Sequence, residues 1–168
     1  MGQQIQEIGP ENAEAVALRE VLGRFATGVT VVSIAGEGGQ GMGFTANSFA
    51  SVSLEPPLVL WSPARSSSRF AAFAAARHYV IHVLAEGQTE LLARFARGGA
   101  GFDGLPRSIN AEGVPLIAGA LARIHCVQHA THDGGDHLII VGRVLRAERE
   151  AGAPLVFSQG RYGRFSPF

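Results

Sequence analysis

Two long runs of apolar and β-branched residues, joined by a turn sequence, constrain the fold of this chain more than any other feature. The runs ALARIHCVQHA and HLIIVGRVLRAE occupy residues 120–130 and 137–148, and the segment THDGGD lies between them. Aspartate and glycine accept the backbone angles that tight hairpin turns require, so DGGD at residues 133–136 favours such a turn. The sequence therefore predicts a long β-hairpin.

Four shorter extended runs precede this hairpin, and three segments have a helical pattern. The extended runs occupy residues 29–34, 44–54, 58–61 and 79–84. The helical patterns occupy residues 11–25, 66–78 and 89–99, and residues 100–113 have the composition of a loop. The glycine cluster GEGGQGMG is followed by a strand and not by a helix, so it predicts a hairpin turn and not a dinucleotide-binding loop. Many strands and few helices predict a small barrel or sandwich with peripheral helices.

The composition excludes several kinds of chemistry and of partner. The 168 residues are 46% hydrophobic and 17% charged, which is typical of one globular domain spanning residues 1–168. All 14 basic residues are arginine, so a Schiff base, a lysine nucleophile and a P-loop lysine are excluded. The formal net charge is zero, and the sequence shows no basic cluster, signal peptide or membrane-spanning stretch. We therefore expect a cytoplasmic protein that binds neither nucleic acid nor a membrane.

Four histidines lie close to the single cysteine, Cys126, in the segment HCVQHATHDGGDH. A structural zinc site usually has paired thiolates or an HExxH helix, and this segment has neither. Strand alternation places His125 and His129 on one face and Cys126 on the other, with His132 in the turn. We therefore expect no metal site here. His137, which the tight turn places at the start of the return strand, is the stronger candidate for a functional histidine.

The extended run FTANSFASVSL carries an unusual amount of polarity on one face. If the run is a single strand, Thr45, Asn47, Ser51 and Ser53 share a face with Phe49. Hydroxyl and amide groups on a buried element need hydrogen-bond partners, and a flat heteroaromatic ring would supply them. A polar strand face that is exposed to solvent explains the same pattern, and the residues alone leave both interpretations open.

The segment SPARSSSRF combines serine hydroxyls with two arginines at the predicted start of a helix. Serines are favoured N-caps, which is a sufficient structural reason for their presence. Free backbone N–H groups, hydroxyls and the guanidinium groups of Arg65 and Arg69 would also form a phosphate site that needs no lysine. The segment is therefore a candidate phosphate-binding loop, with helix capping as the alternative.

Taken in order, several segments resemble the flavin reductase-like, FMN-binding split-barrel family, from about Phe25 to Phe165. They are GVTVVSI, GMGFTANSFASVSLEPPLVLW, SSSRF, FARGGAGFDG, GVPLIAGALARIHC and GGDHLIIVGRV. The chain is most similar to the small reductase components of two-component flavin-dependent monooxygenases. The resemblance implies a mainly β fold, namely a six-stranded Greek-key split β-barrel over about residues 28–165 with peripheral helices. It also implies a homodimer with the flavin near the subunit interface.

The resemblance further implies which residues form the flavin site. Those expected at the ring and the ribityl chain are Thr45, Ala46, Asn47, Ser48, Ser51 and Ser53. Those expected at the flavin phosphate are Ser62, Arg65, Ser67 and Ser68, and further expected contacts are Phe95, Arg97, Arg161 and Tyr162. His137 is expected to lie beside the flavin, where it positions the nicotinamide donor.

The implied activity is the reduction of FMN or FAD by NADH or NADPH, with reduced flavin supplied to a partner monooxygenase. The motifs would contact the part that FMN and FAD share, so the flavin is left open, and so is the choice between NADH and NADPH. One alternative is a protein that retains its flavin and passes electrons to another protein. A second is a split barrel that binds haem or a corrin, which would use the histidines at 125–137 but leave the polar face at 45–53 unexplained.

Overall fold

The computed structural model describes residues 9, 15–36, 39–96 and 101–168. Within them the chain forms three short helices, α1 (Ala15–Leu22), α2 (Phe70–Ala75) and α3 (Glu90–Phe95). The strands are β1 (Thr27–Gly28), β2 (Thr30–Ile34), β3 (Met42–Ala46), β4 (Ala50–Leu54), β5 (Pro57–Trp61), β6 (His78–Val83), β7 (Arg107–Ile109), β8 (Pro115–Ile117), β9 (Ala122–Gly134), β10 (His137–Arg149), β11 (Leu155–Ser158) and β12 (Arg161–Arg164). The fold is mainly β, as the sequence predicts.

Seven of these strands form one sheet in the order β3-β2-β6-β9-β10-β5-β4. The long hairpin is confirmed, because β9 pairs with β10 and His137 lies opposite Gly134 across the turn. β2 also pairs antiparallel with β3, so the chain reverses direction at the glycine cluster, as the sequence predicts. The hairpin turn between β9 and β10 therefore fixes where His137 begins its strand.

The sheet must curl, because its two edge strands are consecutive in the chain. β3 ends at Ala46 and β4 begins at Ala50. Their α-carbons can be at most about 15 Å apart, whereas the edges of a flat seven-stranded sheet would be about 29 Å apart. The sheet therefore rolls up until its edges approach each other without pairing, which is the split-barrel architecture that the sequence predicts.

The run at residues 44–54 is not the single strand that the sequence predicts. The chain leaves β3 after Ala46 and enters β4 on the opposite edge of the sheet. Phe49 packs against the barrel core at this break, and Thr30 Oγ1 donates a hydrogen bond to the Ala46 carbonyl at 2.7 Å where β3 ends. This division explains why the sheet has seven strands where six were expected, since each of the other five predicted runs corresponds to one strand of the sheet.

Aromatic and aliphatic side chains fill the interior of the barrel. Trp61 is fully buried and packs edge-on against Phe44 and Phe73 at centroid distances of 5.8 and 5.6 Å. Such pairs contribute about 0.5–1.5 kcal/mol each beyond simple burial. A second cluster lies under α3, where the fully buried Phe95 packs so closely on Gly43 of β3 that any larger residue would collide with its ring. The two clusters hold β3 in place from both sides.

Several predictions about the shorter elements are wrong. Helices α2 and α3 are shorter than the segments predicted at 66–78 and 89–99, and α1 ends at Leu22 and not near residue 25. The predicted loop at residues 100–113 contains β7, which pairs with β8. Near the carboxyl end, β11 and β12 join β1 in a separate three-stranded sheet.

Among the residues that the structure describes, none of the helices has the length and apolar character needed to cross a bilayer.

Candidate functional site

The end of β3 forms one wall of a shallow pocket of about 180 Å³. The pocket is lined by Val29, Thr45, Ala46, Asn47, Phe157 and Tyr162. Thr45 Oγ1 is buried there and has no hydrogen-bond partner among the described residues. An unpartnered buried hydroxyl costs free energy unless a ligand or a water satisfies it. The pocket therefore offers the unpartnered Thr45 hydroxyl beside two aromatic rings. These are the rings of Phe157 and Tyr162, whose centroids are 5.1 Å apart.

Ser48 connects this pocket to the loop that follows β5. Its hydroxyl accepts a hydrogen bond from the Ser62 backbone N–H at 2.9 Å and donates to the Ser62 carbonyl at 3.3 Å. Ser51 and Ser53 lie on β4, on the other edge of the sheet from Thr45. The predicted polar face shared by one strand is therefore wrong, because the chain changes edges between Thr45 and Ser51.

The loop after β5 carries Arg65 toward the β9–β10 turn. Arg65 Nη2 donates to Asp133 Oδ1 at 2.7 Å and its Nε donates to the Gly135 carbonyl at 3.1 Å. The guanidinium group also stacks on the Phe70 ring at 5.6 Å, yet 41% of the Arg65 side chain is exposed. Arg65 is therefore fixed in position and remains accessible to an anionic ligand.

The serines of this loop do not cap α2 directly. The N-cap residue is Arg69, which makes no side-chain capping bond, while Ser67 Oγ accepts from the Arg69 backbone N–H at 3.2 Å. Ser68 is exposed. Arg69 itself points inward, where its Nη1 donates to the carbonyls of Gly43 and Phe95 at 2.6 and 3.0 Å. Helix capping thus accounts for only part of the serine cluster, and Arg69 links α2 to β3 and α3.

His137 lies where the β9–β10 turn meets this loop. Its backbone forms an isolated antiparallel β-bridge with Ala64. Its side chain donates a hydrogen bond from Nδ1–H to Asp136 Oδ1 at 2.7 Å. This hydrogen bond is the main reason that the pKa of Asp136 lies below its usual range. The Arg65 backbone N–H donates to the Asp136 carbonyl at 2.9 Å, so the turn and the loop are joined. The imidazole is therefore oriented by Asp136 and remains partly exposed beside Arg65.

The other residues of the histidine-rich segment do not meet at this point. His125 is buried, where its Nε2–H donates to Glu148 at 2.9 Å and its Nδ1 accepts from Asn110 at 3.1 Å. Cys126 points into the barrel core, and burial raises the pKa of its thiol to about 12. Within residues 15–36, 39–96 and 101–168, no group of three or more His, Cys, Asp or Glu side chains is placed to hold a metal ion.

The four remaining predicted contacts have different positions. Tyr162 lines the Thr45 pocket, and Arg161 lies exposed beside it on β12. The Phe95 ring is 0% exposed under β3, so it supports the site from below and presents no surface to a ligand. Arg97 lies outside the described residues. Phe157, which sequence analysis missed, lines the pocket from β11; its only sequence signal is an apolar residue in a short extended run.

A flavin fits this arrangement. The Thr45 hydroxyl supplies an unused polar contact next to a pocket with aromatic walls. The exposed Ser68 hydroxyl and the half-exposed Arg65 guanidinium supply donors for a phosphate without any lysine. Such a combination of an apolar pocket with a few placed polar groups is typical of cofactor sites.

Comparisons with known proteins identify the family. The family model for the flavin reductase-like domain matches residues 22–166. The FMN reductase (NADH) SmoA of Agrobacterium fabrum is 58% identical over 158 residues, which cover 94% of this chain and 89% of that protein. The flavin-dependent monooxygenase reductase subunit HsaB of Rhodococcus jostii is 40% identical over 168 residues, covering 95% of this chain and 84% of that protein.

A solved structure shows the same relationship. The Streptomyces globisporus C-1027 NADH:FAD oxidoreductase SgcE6, in complex with NAD and FAD fragments, superposes with a TM-score of 0.88 at 40% identity. The alignment covers 97% of this chain and 98% of that one. The chain therefore belongs to the flavin reductase-like domain family.

Proposed function

We propose that this protein is an NADH-dependent flavin reductase that transfers hydride to FMN or FAD and supplies the reduced flavin to a partner monooxygenase. The observation that carries the proposal is the continuity of the site. The Thr45 pocket is joined through Ser48 and Ser62 to the loop that carries Arg65, and this loop pairs at Ala64 with His137. The relatives support the reaction, because the names of SmoA and SgcE6 specify NADH together with FMN and FAD.

We assign the ring and ribityl contacts to Thr45, Ala46, Asn47, Ser48, Ser51, Ser53 and Tyr162. We assign the phosphate to Ser62, Arg65, Ser67 and Ser68, with Arg97 and Arg161 as further cationic contacts and Phe95 as the support beneath β3. These assignments rest on the family motifs and are consistent with the contacts of Thr45, Ser48 and Arg65. The shared part of FMN and FAD would lie on these residues, which leaves the choice of flavin to the experiment below.

The chain's own residues orient the two ligands. When bound, the flavin supplies the acceptor for a hydride from the nicotinamide. Thr45 and Ser48 act as neutral hydrogen-bonding groups and need not exchange a proton, because hydride transfer requires no dedicated acid or base. We assign to His137, whose imidazole is hydrogen-bonded to Asp136, the role of positioning the nicotinamide or balancing charge. The Phe157 and Tyr162 rings give the pocket its aromatic walls.

The relatives support the proposed partner, and the surface of β4 supports the proposed assembly. HsaB is named as the reductase subunit of a flavin-dependent monooxygenase, and a monooxygenase is accordingly the proposed recipient of the reduced flavin. We also propose that residues 1–168 form one domain, that the protein is cytoplasmic and that it is a homodimer. The exposed apolar side chains on β4, Val52 and Leu54, support the dimer because isolated subunits rarely leave such an edge strand uncovered.

The test is anaerobic oxidation of NADH and of NADPH by the purified protein, with and without added FMN, FAD or riboflavin. Fast turnover with NADH that depends on added flavin is the expected result, and it also establishes which flavin is preferred. A retained flavin that is reduced once and not released would replace the proposal with an electron-transfer function. Absence of both reaction and flavin binding would overturn it.

A further inference from the structure

Arg69 joins two parts of the proposed flavin site. Its backbone directly follows the loop at residues 62–68, which is assigned to the flavin phosphate and which we call the phosphate loop. Its Nη1 donates hydrogen bonds to the carbonyls of Gly43 and Phe95 at 2.6 and 3.0 Å. Gly43 lies two residues before Thr45 on β3, and Phe95 is the last residue of α3. One side chain therefore connects the phosphate loop to the strand that forms the Thr45 pocket.

The contact with Gly43 stabilises an edge strand. Among the strands that the structure describes, β3 has β2 as its one hydrogen-bonded neighbour. Carbonyl groups that β2 does not pair must find other donors. Arg69 supplies a donor to Gly43, and its guanidinium group also lies over the Phe44 ring at 5.1 Å. Arg69 therefore holds the backbone and one side chain of β3 immediately before Thr45.

The same nitrogen fixes the approach of α3 to β3. Gly43 lies directly against the Phe95 ring, so the carbonyls of these two residues come close enough to share one donor. Converging carbonyl oxygens repel each other unless a donor lies between them, and a charged donor forms the stronger hydrogen bonds. Burial lowers the pKa of Arg69, because moving a cation out of water costs free energy. The two hydrogen bonds offset this cost.

The backbone of Arg69 orders the end of the phosphate loop. Its N–H donates to Ser67 Oγ at 3.2 Å, and the Phe70 N–H donates to the Ser67 carbonyl at 3.0 Å. Because Ser67 Oγ is the acceptor, its own hydrogen remains available to a ligand. The start of the loop is joined to Ser48 through Ser62. The phosphate loop is therefore attached at its start to the segment after β3 and at its end to β3 itself.

We propose that Arg69 is a positioning residue for the flavin, which sets the placement of the phosphate loop relative to the ring contacts at the end of β3. This inference rests on the proposed function. The Arg69 guanidinium group points inward, so it acts through Arg65 and the serines of the loop and not by contact with the phosphate. FMN would span the loop and β3 together, whereas riboflavin lacks the phosphate. Loss of Arg69 should therefore weaken FMN binding more than riboflavin binding.

The experiment measures the dissociation constants of FMN and riboflavin by flavin fluorescence with the full chain. Arg69→Met removes the donors and keeps a long side chain beside Phe44. It should raise the Kd for FMN about tenfold and the Kd for riboflavin at most about twofold. Arg69→Lys should restore most of the FMN affinity, because one nitrogen makes both bonds and an ammonium group has three donors. Arg77→Met, at an exposed arginine just beyond α2, is the matched control and should bind both flavins as the wild-type protein does.

A double-mutant cycle with Arg65→Gln tests whether Arg69 acts through the phosphate contact. In the Arg65→Gln background, Arg69→Met should raise the Kd for FMN only about two- to threefold, because the main cationic contact of the phosphate is already absent. A structural defect that is independent of the phosphate would give effects that multiply. It would also weaken riboflavin as much as FMN.

Equal losses of FMN and riboflavin affinity, or fully multiplicative effects of the two substitutions, would overturn the proposal, and so would wild-type affinity for FMN in Arg69→Met. If far-ultraviolet circular dichroism shows that Arg69→Met does not fold, Arg69→Gln, which keeps one neutral donor, replaces it with the same criteria. Failure of the proposed function is distinguishable from these results, since the wild-type protein would then show no flavin-dependent oxidation of NADH.

Discussion

Arg65 forms an ion pair with Asp133, and the same guanidinium group is the proposed contact of the flavin phosphate. Its contact with Asp133, at 2.7 Å, is exposed, because 81% of the Asp133 side chain is accessible to solvent. Exposed ion pairs contribute only about 0.2–1 kcal/mol, so a phosphate can compete with Asp133 for the guanidinium group. Asp133 therefore holds the Arg65 side chain in position, and the guanidinium group remains available to bind a phosphate.

Substitutions at this pair should affect FMN and riboflavin differently. Arg65→Gln should raise the KM for FMN about tenfold and change the KM for riboflavin little, because riboflavin lacks the phosphate. Asp133→Asn should lower the KM for FMN about twofold by releasing Arg65. Steady-state kinetics with the two flavins measures both effects. Equal shifts for FMN and riboflavin would show that Arg65 does not contact the phosphate.

His137 should act on the nicotinamide and not on the flavin. His137→Ala should raise the KM for NADH about tenfold while the dissociation constant for FMN changes less than twofold, because the flavin is held by other residues. Asp136→Asn, which removes the carboxylate that orients the imidazole, should raise the KM for NADH by a smaller factor. Flavin binding by fluorescence quenching and kinetics with NADH separate the two ligands. Loss of FMN binding with an unchanged KM for NADH would reject this role.

The residues of the site differ in how well the sequence reveals them. Thr45 and Asn47 stand out because polar side chains interrupt an otherwise apolar extended run. Phe157 gives no such signal, since an apolar residue in a short strand is the ordinary pattern. Its relevance depends on the tertiary arrangement that brings β11 beside the end of β3.

At the level of elements, β6 carries a histidine that should make stability depend on pH. His82 is fully buried on β6; its Nδ1–H donates to the Val31 carbonyl at 3.0 Å and its Nε2 has no partner among the described residues. Burial lowers its pKa to about 4, despite the opposing effect of that hydrogen bond, and Arg123 and His125 lower it further. The imidazole is therefore neutral in the folded protein at neutral pH.

The sign of the effect follows from the two pKa values. In the unfolded chain His82 takes up a proton near pH 6.5, whereas in the folded protein it resists protonation until about pH 4. The contribution of His82 to folding stability is therefore fully present above pH 6.5, and about 2–3 kcal/mol of it is lost as the pH falls toward 4. His82→Gln keeps a donor for Val31 but does not titrate, so it should flatten this dependence.

Urea unfolding of the flavin-free protein between pH 7.5 and 4.5 measures the effect. His129→Gln, at an exposed position on β9, is the matched control and should retain the wild-type slope. If His82→Gln and wild-type protein lose stability in parallel, the buried imidazole is not the group responsible.

The strand pattern shows which strands the local sequence predicts correctly and which it does not. Five of the six extended runs form one strand each, because β-branched residues and turn signals act over short distances. The run FTANSFASVSL contains no proline or glycine, so nothing local marks the break between β3 and β4. The break exists because the chain crosses from one edge of the curled sheet to the other. Such closure depends on the whole sheet and is not encoded in any one segment.

At the scale of the whole molecule, the split in the barrel leaves β4 as an edge strand with apolar side chains in solvent. Val52 and Leu54 are 50% and 93% exposed, and they are sequence neighbours on β4 of Ser51 and Ser53, which are assigned to the flavin site. An exposed apolar edge strand tends to pair with or be covered by another chain. A second subunit on β4 would therefore lie directly beside the proposed flavin site.

We accordingly expect a homodimer whose loss weakens flavin binding. Val52→Asp combined with Leu54→Asp should give a monomer by sedimentation velocity at micromolar concentration, with an unchanged far-ultraviolet circular dichroism spectrum. Its dissociation constant for FMN should rise at least about tenfold, because β4 then lacks the covering subunit that excludes water from the flavin. Ile109→Asp, an equally exposed apolar position on β7, should remain dimeric and bind FMN normally.

A wild-type protein that sediments as a monomer, or a double variant that remains dimeric, would show that β4 is not the interface. A monomeric double variant with full affinity for FMN would instead separate the flavin site from the interface.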